Sequence, residues 1–342
     1  MLSGPCPPHQ CGVGDYTRLL AGALQARGVE SVDFPGVIWG LGGVLDVQAT
    51  LRRLRPDVVH IQYPSLGFGT KLGPQALALL TGCVITIHEA SRSHFLRKIA
   101  LLPFAVRPKH IIFTSEFERE FALNWVPWLS RVSSVIPIPS NIGVATQNRQ
   151  RTLDEIVYFG LIMPSKRVEE VLKLAALIKS AGLSLRIRIV GTPPDKYSAY
   201  AAGLRAVSAD LPVIWECGLN EEQVAQRLAL SSVAYLPYQD GASERRATLK
   251  AALANGVAVI TTRGAQTPDI LDDAVMYCNS PEEALTIARS LFVNPDEMSR
   301  LACNARLYGQ QFTWERTAEL HSILYQKMAG AITACRQMRV GA

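Results

Sequence analysis

The sequence predicts an α/β protein made of two doubly wound domains, each an open parallel sheet with helices on both faces. Short apolar runs rich in Val and Ile alternate with segments of helical periodicity. This alternation indicates βαβ units, because strands buried on both faces read as continuous apolar runs. The length of 342 residues favours two domains over one. A polar, aperiodic segment at 140–152, "SNIGVATQNRQRT", reads as the linker between them.

The first half contains four apolar runs with the composition of buried strands: 58–62, 84–88, 111–114 and 135–138. Four further segments carry apolar residues at helical spacing: 16–27, 73–80, 97–105 and 115–124. In such an open sheet the carboxyl ends of the strands face the ligand crevice. We therefore assign residues 1–145 to an N-terminal domain with its ligand at that edge.

The second half repeats this organisation. Its predicted strands are 156–159, 186–190, 213–216, 233–238 and 257–262. Its predicted helices are 168–181, 197–209, 221–230, 247–254 and 281–292. We assign residues 153–311 to a second domain. A last helix is expected at about 314–331, within a C-terminal segment, 312–335, that packs back towards the first domain.

Composition excludes several classes of protein. Seven scattered cysteines without a CxxC pair indicate neither a zinc site nor a disulfide framework, and they predict a cytoplasmic protein. The longest apolar stretch, 76–87, is too short to span a bilayer, and the start, "MLSGPCPPHQCG", does not read as a signal peptide.

Charge is uneven along the chain. The net charge is +6, and residues 1–150 hold 14 basic against nine acidic side chains. Nucleic-acid binding usually shows denser basic clusters with interleaved aromatic residues. The mild excess fits an anionic membrane surface or an anionic substrate better, and surface charge without a partner is the alternative.

The stretch "GVGDYT" precedes a predicted helix that begins at Tyr16. The N–H groups of Gly12, Val13 and Gly14 could bind a ligand there, because glycines before a helix N-terminus allow close approach. A simple turn is the alternative, since the stretch lacks the third glycine of GxGxxG. Further along, "VITIHE" places His88 and Glu89 at the carboxyl end of a strand, on the crevice edge. The alternative is that His88 only ends its strand and has no role in binding. His60 lies inside another predicted strand, and we interpret it as structural.

Two helix starts in the second domain are cationic. Lys166 and Arg167 open one predicted helix, and Arg245 and Arg246 open another after the turn "GAS". A helix N-terminus already carries partial positive charge, so cations there are unfavourable unless an anion joins them. The pattern predicts that both starts converge on one diphosphate. Solvated surface charge is the alternative.

Residues 92–109, "RSHFLRKIALLPFAVRPK", mix large apolar and basic side chains. Such a segment can lie on an anionic membrane. The alternative is an ordinary buried helix, which Pro103 would shorten or kink.

Together these segments resemble the retaining family-4 glycosyltransferases of the GT-B fold, of the bacterial type that assembles polysaccharides or glycolipids. The resemblance covers nearly the whole chain. It is carried by "SGPCPPHQCGVGDYTRLLAGALQARGVE", "VVHIQYP", "VITIHE", "VYFGLIMPSKRVEEVLKL" and "TWERTAELHSILYQ". It implies two Rossmann-like domains facing a cleft, a C-terminal crossover helix, and transfer of a hexosyl group from a nucleotide diphosphate sugar to an acceptor hydroxyl.

The resemblance also implies the site residues. His88 and Lys166 are expected to be catalytic, with His88 at the reacting sugar and Lys166 on the diphosphate. The other expected donor-binding residues are Gly12, Val13, Gly14, Gly160, Arg167, Gly218, Leu219, Gly241, Ala242, Ser243, Arg245, Arg246 and Thr248. The expected acceptor-binding residues are Asp15, Tyr16, Tyr63 and Glu89.

The same resemblance sets the expected partners. They are the nucleotide diphosphate sugar, a glycan or lipid-linked acceptor, and an anionic membrane contacted at the inner face of the cell membrane; nucleic acid is not expected. No metal or other cofactor is expected, because lysine and arginine would neutralise the phosphates.

Three departures from the family bear on these expectations. Leu161 stands where the family has an arginine, and the family's paired glutamates fall on Ser243 and Ala251. A shift of one residue gives Glu244 and Ala252, which is still only one glutamate. The usual first strand before "SGP" is mostly absent, which raises the question of a misassigned start codon.

The missing glutamates motivate an alternative, a non-catalytic subunit that binds a nucleotide sugar. A nicotinamide-dependent dehydrogenase is a further alternative. Against it stands the lack of GxGxxG with an acidic residue after the next strand.

Overall fold

The computed structural model of the protein describes residues 1–3, 12–32, 39–69, 71–91, 98–146 and 151–340. The chain forms two compact units. Unit 1 comprises Met1–Ile138 and Trp314–Ala342, and unit 2 comprises Pro139–Thr313. Each unit is built around one parallel sheet with helices packed on it.

The described sheet of unit 1 has four parallel strands in the order β1–β2–β3–β4. They are β1 His60–Tyr63, β2 Val84–Ile87, β3 His110–Phe113 and β4 Ser133–Val135. Leu2 extends this sheet beside β1, because its N–H donates to His60 O at 2.8 Å and its carbonyl accepts from Gln62 N–H at 2.9 Å. The resemblance implied a first strand that the sequence mostly lacks. Residues 1–3 form a short extended segment at that place in the sheet.

Unit 1 includes the helices α1 Gly12–Gln25, α2 Leu41–Leu54, α3 Gly73–Thr81, α4 Leu102–Val106 and α5 Glu116–Leu123. Their apolar faces cover the sheet, and the core includes Leu20, Val47, Leu77 and Phe104, all nearly inaccessible to solvent. Ser115 caps α5 by accepting a hydrogen bond from Glu118 N–H at 3.3 Å, an arrangement that fixes where the helix begins.

The described sheet of unit 2 has six parallel strands in the order β10–β9–β8–β5–β6–β7. They are β5 Thr152–Phe159, β6 Arg186–Val190, β7 Val213–Glu216, β8 Ser231–Leu236, β9 Ala258–Thr261 and β10 Val275–Tyr277. Strands β8 and β9 are buried along their whole length, which accounts for their continuous apolar sequence. Six helices belong to this unit: α6 Val168–Ser180, α7 Ser198–Val207, α8 Glu221–Leu230, α9 Ala247–Ala254, α10 Pro281–Val293 and α11 Pro295–Gly309.

The last helix, α12 Trp314–Val340, packs against α1 within unit 1. The Trp314 ring lies 5.4 Å from the Tyr16 ring, and His321 and Ala318 are fully buried. This helix therefore supplies part of the core of unit 1. Over the described ranges, none of the helices combines the length and apolar character that crossing a bilayer requires.

Several sequence predictions need correction. Helices α2 and α11 and strand β10 were not predicted. The predicted helix 97–105 is interrupted: residues 98 and 99 are helical, a turn follows at 100–101, and α4 covers Leu102–Val106. Pro103 stands in the first turn of α4, where proline is tolerated, and not in a helix interior. Residues 92–97 lie outside the described residues. Strand β4 ends at Val135, so the predicted strand 135–138 is shifted. The predicted linker reaches too far, because Thr152 already begins β5.

Candidate functional site

The loops that follow β5, β6, β8 and β9 meet at the carboxyl edge of the unit 2 sheet, and two pairs of glycines bring them into contact. A methyl group on Gly191 would lie 1.8 Å from the carbonyl oxygen of Gly160. A methyl group on Gly264 would lie 2.1 Å from the carbonyl oxygen of Asp240. Real side chains are not tolerated at such distances, so only glycine allows these backbones to approach each other.

The loop between β8 and α9 is closed by its own backbone. Gly241 has a φ of 85°, a region that favours glycine. Its N–H donates to Tyr238 O at 3.3 Å, and Ala242 N–H donates to Thr262 O at 2.8 Å. Both N–H groups therefore have acceptors within unit 2, and the binding of the donor by Gly241 and Ala242 stays a prediction.

Arg246 lies at the N-terminus of α9 and is held on two sides. Its guanidinium forms an ion pair with Asp240 and lies 4.8 Å from the centre of the Tyr238 ring. The Tyr238 hydroxyl in turn shares a hydrogen bond with Thr248 Oγ1 at 2.8 Å. Arg245 turns elsewhere and donates to Gln266 Oε1 at 3.3 Å. The two adjacent arginines thus have different environments, as expected for neighbours on a helical start.

Lys166 lies in a single 3₁₀ turn, Pro164–Lys166, before α6. Arg167 adopts a left-handed φ of 53° and separates this turn from α6, which begins at Val168 as predicted. Lys166 and Arg167 thus lie just before the helix. Burial lowers the pKa of Lys166, and the nearby charge of Arg246 lowers it further. These two cations from separate loops are therefore close enough to act on each other, and an anion between them would be attracted by both.

The remaining predicted donor residues lie on loops of the same unit. Gly160 N–H donates to Val190 O at 3.0 Å. Gly218 N–H donates to Thr192 Oγ1 at 3.1 Å, and Leu219 packs against the core of the unit. Leu161, at the family's arginine position, is 49% exposed.

The positions of the family glutamates are occupied by buried small residues. Ser243 is 5% exposed and Ala251 is fully buried. Glu244 accepts a hydrogen bond from the Tyr308 hydroxyl at 3.4 Å, and its charge acts on the buried Lys250. Burial lowers the pKa of Lys250 to about 7. The Glu244 carboxylate is thus engaged with the interior of unit 2.

The carboxyl edge of the unit 1 sheet carries His88. Its backbone N–H donates to Tyr63 O at 2.8 Å, and its Nε2 lies 2.9 Å from Gln62 Oε1. The Tyr16 ring packs edge-on against the imidazole at 4.9 Å. Burial lowers the His88 pKa to about 3, with a smaller contribution from His321. His88 is therefore neutral at physiological pH, and it can exchange hydrogen bonds but carries no charge.

Glu118 fixes the loop that follows His88, and the sequence did not reveal it. Its fully buried carboxylate accepts hydrogen bonds from Ala90 N–H at 2.8 Å, Ser91 N–H at 2.9 Å and the Ser91 hydroxyl at 2.6 Å. Glu89 lies on this loop, between His88 and the held residues. The only signal was an acidic residue in the first turn of a helix, a place where glutamate is common for other reasons.

The start of α1 differs from the predicted loop, because the helix already begins at Gly12. Gly12, Val13 and Gly14 form its first turn, whose N–H groups have no partner within the helix, and Asp15 adds a favourable negative charge there. Tyr16 and Tyr63 are only 5% and 7% exposed. Both pack into the core of unit 1, and their contact with the acceptor stays a prediction.

No protein-family model matches the sequence, and no curated protein gives a significant match. Solved structures do resemble it. HepE from Anabaena in complex with UDP aligns with a TM-score of 0.69 and 12% identity, over 95% of this chain and 98% of HepE. A glycosyltransferase from Rickettsia africae aligns with a TM-score of 0.68 and 12% identity, over 96% of this chain and 97% of that one.

TarM of S. aureus aligns with a TM-score of 0.60 and 13% identity over 83% of this chain, which spans 58% of the length of TarM. These likenesses show the fold. The chain has the GT-B fold, with two Rossmann-like parallel sheets, and this part of the sequence prediction is confirmed.

Proposed function

We propose that the chain is a glycosyltransferase that moves a hexosyl group from a nucleotide diphosphate sugar to an acceptor hydroxyl, with retention of anomeric configuration, in cell-surface polysaccharide or glycolipid assembly. The observation that carries this proposal is the convergence of Lys166 and Arg246 at the carboxyl edge of unit 2. Two cations beside closely packed glycine loops suit a diphosphate, which needs both charge and close backbone approach. The UDP held by HepE makes a uridine diphosphate sugar the first donor to test.

In this proposal the two cations stabilise the negative charge that grows on the departing nucleoside diphosphate, a role in which preorganised groups are most effective. They also take the part that a metal ion has in other transferases, so no cofactor is required. His88 contacts the sugar as a neutral group, and Glu118 holds the loop on which Glu89 could meet the acceptor. Asp15 is a second acceptor contact in the same unit.

The proposal is tested by Lys166→Ala and its matched control Lys173→Ala. Lys173 lies seven residues later, is 65% exposed and pairs with Glu170 at 2.9 Å. We expect UDP at 100 times its Kd to raise the free energy of unfolding by about 2.7 kcal/mol. Lys166→Ala should weaken UDP binding about tenfold, because a hydrogen bond to a charged group is worth roughly 1.5–3 kcal/mol and loss of repulsion on Arg246 offsets part of this.

Lys173→Ala should bind UDP like the parent protein. Thermal shift and calorimetry with UDP, GDP and ADP measure these effects, and NMR of the product anomer tests retention. If no nucleoside diphosphate stabilises the protein, the proposed donor site is wrong.

A second candidate function is a non-catalytic subunit that binds a nucleotide sugar. It is favoured by one observation, the burial of Ser243 and Ala251 where the family has its glutamates. The two functions differ in turnover and not in UDP binding. Any sugar transfer, including slow hydrolysis of the donor, excludes the binding subunit.

We further propose that unit 1 contacts an anionic membrane at the inner face of the cell membrane, through a surface named here the α4 patch. Its exposed apolar side chains are Ile99, Leu102, Val106, Trp125 and Trp128, each between 45% and 72% exposed. The Trp128 indole N–H donates to Ala105 O at 3.1 Å, so this hydrogen bond joins the segment of Trp125 and Trp128 to α4. Lys98, Arg107 and Arg131 lie beside these side chains in sequence, a composition typical of interfacial membrane contacts.

The membrane proposal is tested by Val106→Glu, with Val207→Glu as its matched control. Both valines end a helix and both are 72% exposed, but Val207 lies in unit 2. We expect Val106→Glu to reduce flotation with phosphatidylserine-containing vesicles at least tenfold, because a carboxylate is repelled by anionic lipid. Val207→Glu should float like the parent protein. Flotation that does not depend on anionic lipid, or equal loss in both variants, would contradict the proposal.

A further inference from the structure

A row of hydrogen bonds connects α12 to His88 through the interior of unit 1. His60 Nδ1 lies 2.5 Å from the Tyr325 hydroxyl, and Thr86 Oγ1 lies 2.8 Å from His60 Nε2. The side-chain amide of Gln62 lies between the two histidines, with its Nε2 at 3.3 Å from His60 Nε2 and its Oε1 at 2.9 Å from His88 Nε2. His60, Gln62 and Thr86 are all buried, so these bonds are shielded from competing water.

The donors and acceptors of this row follow from the orientation of the Gln62 amide, whose Oε1 faces His88 and whose Nε2 faces His60. A Gln Nε2 can only donate and a Gln Oε1 can only accept. His60 Nε2 therefore accepts from Gln62 and from the Thr86 hydroxyl, and His60 Nδ1–H donates to Tyr325. At the other end, His88 Nε2–H donates to Gln62 Oε1. Because a neutral imidazole carries one proton, the Nδ1 of His88 keeps a lone pair.

We infer that Gln62 is a positioning residue that holds His88 as the Nε2–H tautomer, so that His88 Nδ1 accepts a hydrogen bond from a hydroxyl of the bound sugar. The second half of this inference rests on the proposed function, and the first half does not. The pKa of His88 lies well below neutrality because the ring is buried. The described groups around His88 are the phenol of Tyr16, the Gln62 amide and the Thr114 hydroxyl. The charge of His321, on α12, also lowers the pKa of His88.

The tautomer is tested by ¹⁵N NMR of the histidine ring nitrogens, compared among the parent, Gln62→Met, Gln62→Glu and the control Gln75→Met. Gln75 is a second buried glutamine of unit 1, but it donates to the Tyr63 hydroxyl and to Ala100 O. In the parent we expect the His88 signal of a protonated Nε2 and an unprotonated Nδ1. Gln62→Met should give a mixture of tautomers. Gln62→Glu should protonate both nitrogens at pH 7, because a carboxylate beside Nε2 stabilises the imidazolium. Gln75→Met should leave the signal unchanged.

Kinetics test the link to the sugar. We expect Gln62→Met and Gln62→Glu to lower kcat at least tenfold, with the affinity for free UDP within twofold of the parent. A parent spectrum with the proton on Nδ1, or a Gln62→Met spectrum identical to the parent, overturns the tautomer assignment whether or not the protein transfers sugar. An unchanged kcat in a variant whose His88 spectrum has changed overturns the hydrogen bond to the sugar. If UDP does not bind at all, the proposed function fails while the spectra still decide the tautomer.

Discussion

Gly191→Ala is expected to destabilise unit 2 by about 4 kcal/mol or more and to abolish binding of nucleoside diphosphate. The added methyl group would lie 1.8 Å from the Gly160 carbonyl oxygen, and the atom in its way is backbone that cannot rotate aside. Effects of this size arise where a substitution forces the main chain to move. The loop after β5 would shift, and with it the turn that carries Lys166.

The matched control is Gly203→Ala, in the same unit. Gly203 lies in the middle of α7, is exposed, and has no atom within 4 Å of an added methyl group. Alanine there should stabilise the protein by about 0.5–1 kcal/mol, because it is the better helix former. Thermal unfolding with and without UDP measures both variants. Equal melting temperatures for the two would show that the contact between the loops after β5 and β6 is not as close as described.

Arg246→Ala is expected to weaken the binding of nucleoside diphosphate by about 10- to 150-fold, since a hydrogen bond to a charged group is worth roughly 1.5–3 kcal/mol. Arg246 is chosen over its neighbour because its charge acts on Lys166. The loss should be equal for UDP and for its sugar conjugate, because the group lost would contact only the phosphates. Uridine should be unaffected.

Arg245→Ala is the control, because that side chain turns towards Gln266. It should change affinity by less than threefold, a small fraction of the effect of one charged hydrogen bond. Isothermal titration of both single variants and the double variant decides the assignment. If Arg246→Ala binds UDP like the parent protein, its guanidinium serves only the ion pair with Asp240, and the phosphate site lies elsewhere.

The sequence predicted the class of fold well because buried parallel strands leave a strong signal. Strands β6 and β7 and helices α8 and α9 have the predicted bounds. Each is a continuous apolar run or a clearly periodic segment. Prediction failed where tertiary contacts decide the structure. The left-handed Arg167, for example, inserts a separate turn before α6, although nothing in its residue type favours φ above zero.

The candidate site was only partly visible in the sequence. Cationic residues at helix starts pointed to Lys166 and Arg246 because they conflict with the helix dipole. Gln62, Glu118 and Gly191 carried no comparable signal, since each acts through a partner distant in sequence. The hydrogen bond of Ala242 N–H could not be predicted for the same reason, because its acceptor lies 20 residues on, at Thr262.

If Arg246 binds the donor phosphates as proposed, its ion pair with Asp240 makes that binding a replacement of one anion by another. A phosphate would have to displace the Asp240 carboxylate, which the chain holds beside the guanidinium at a constant effective concentration. Its affinity therefore reflects the difference between two attractions and not the strength of one. In the proposed reaction the Asp240 carboxylate would return to the guanidinium when the nucleoside diphosphate departs. A carboxylate that weakens product binding in this way would also speed product release, a step that limits turnover in many enzymes.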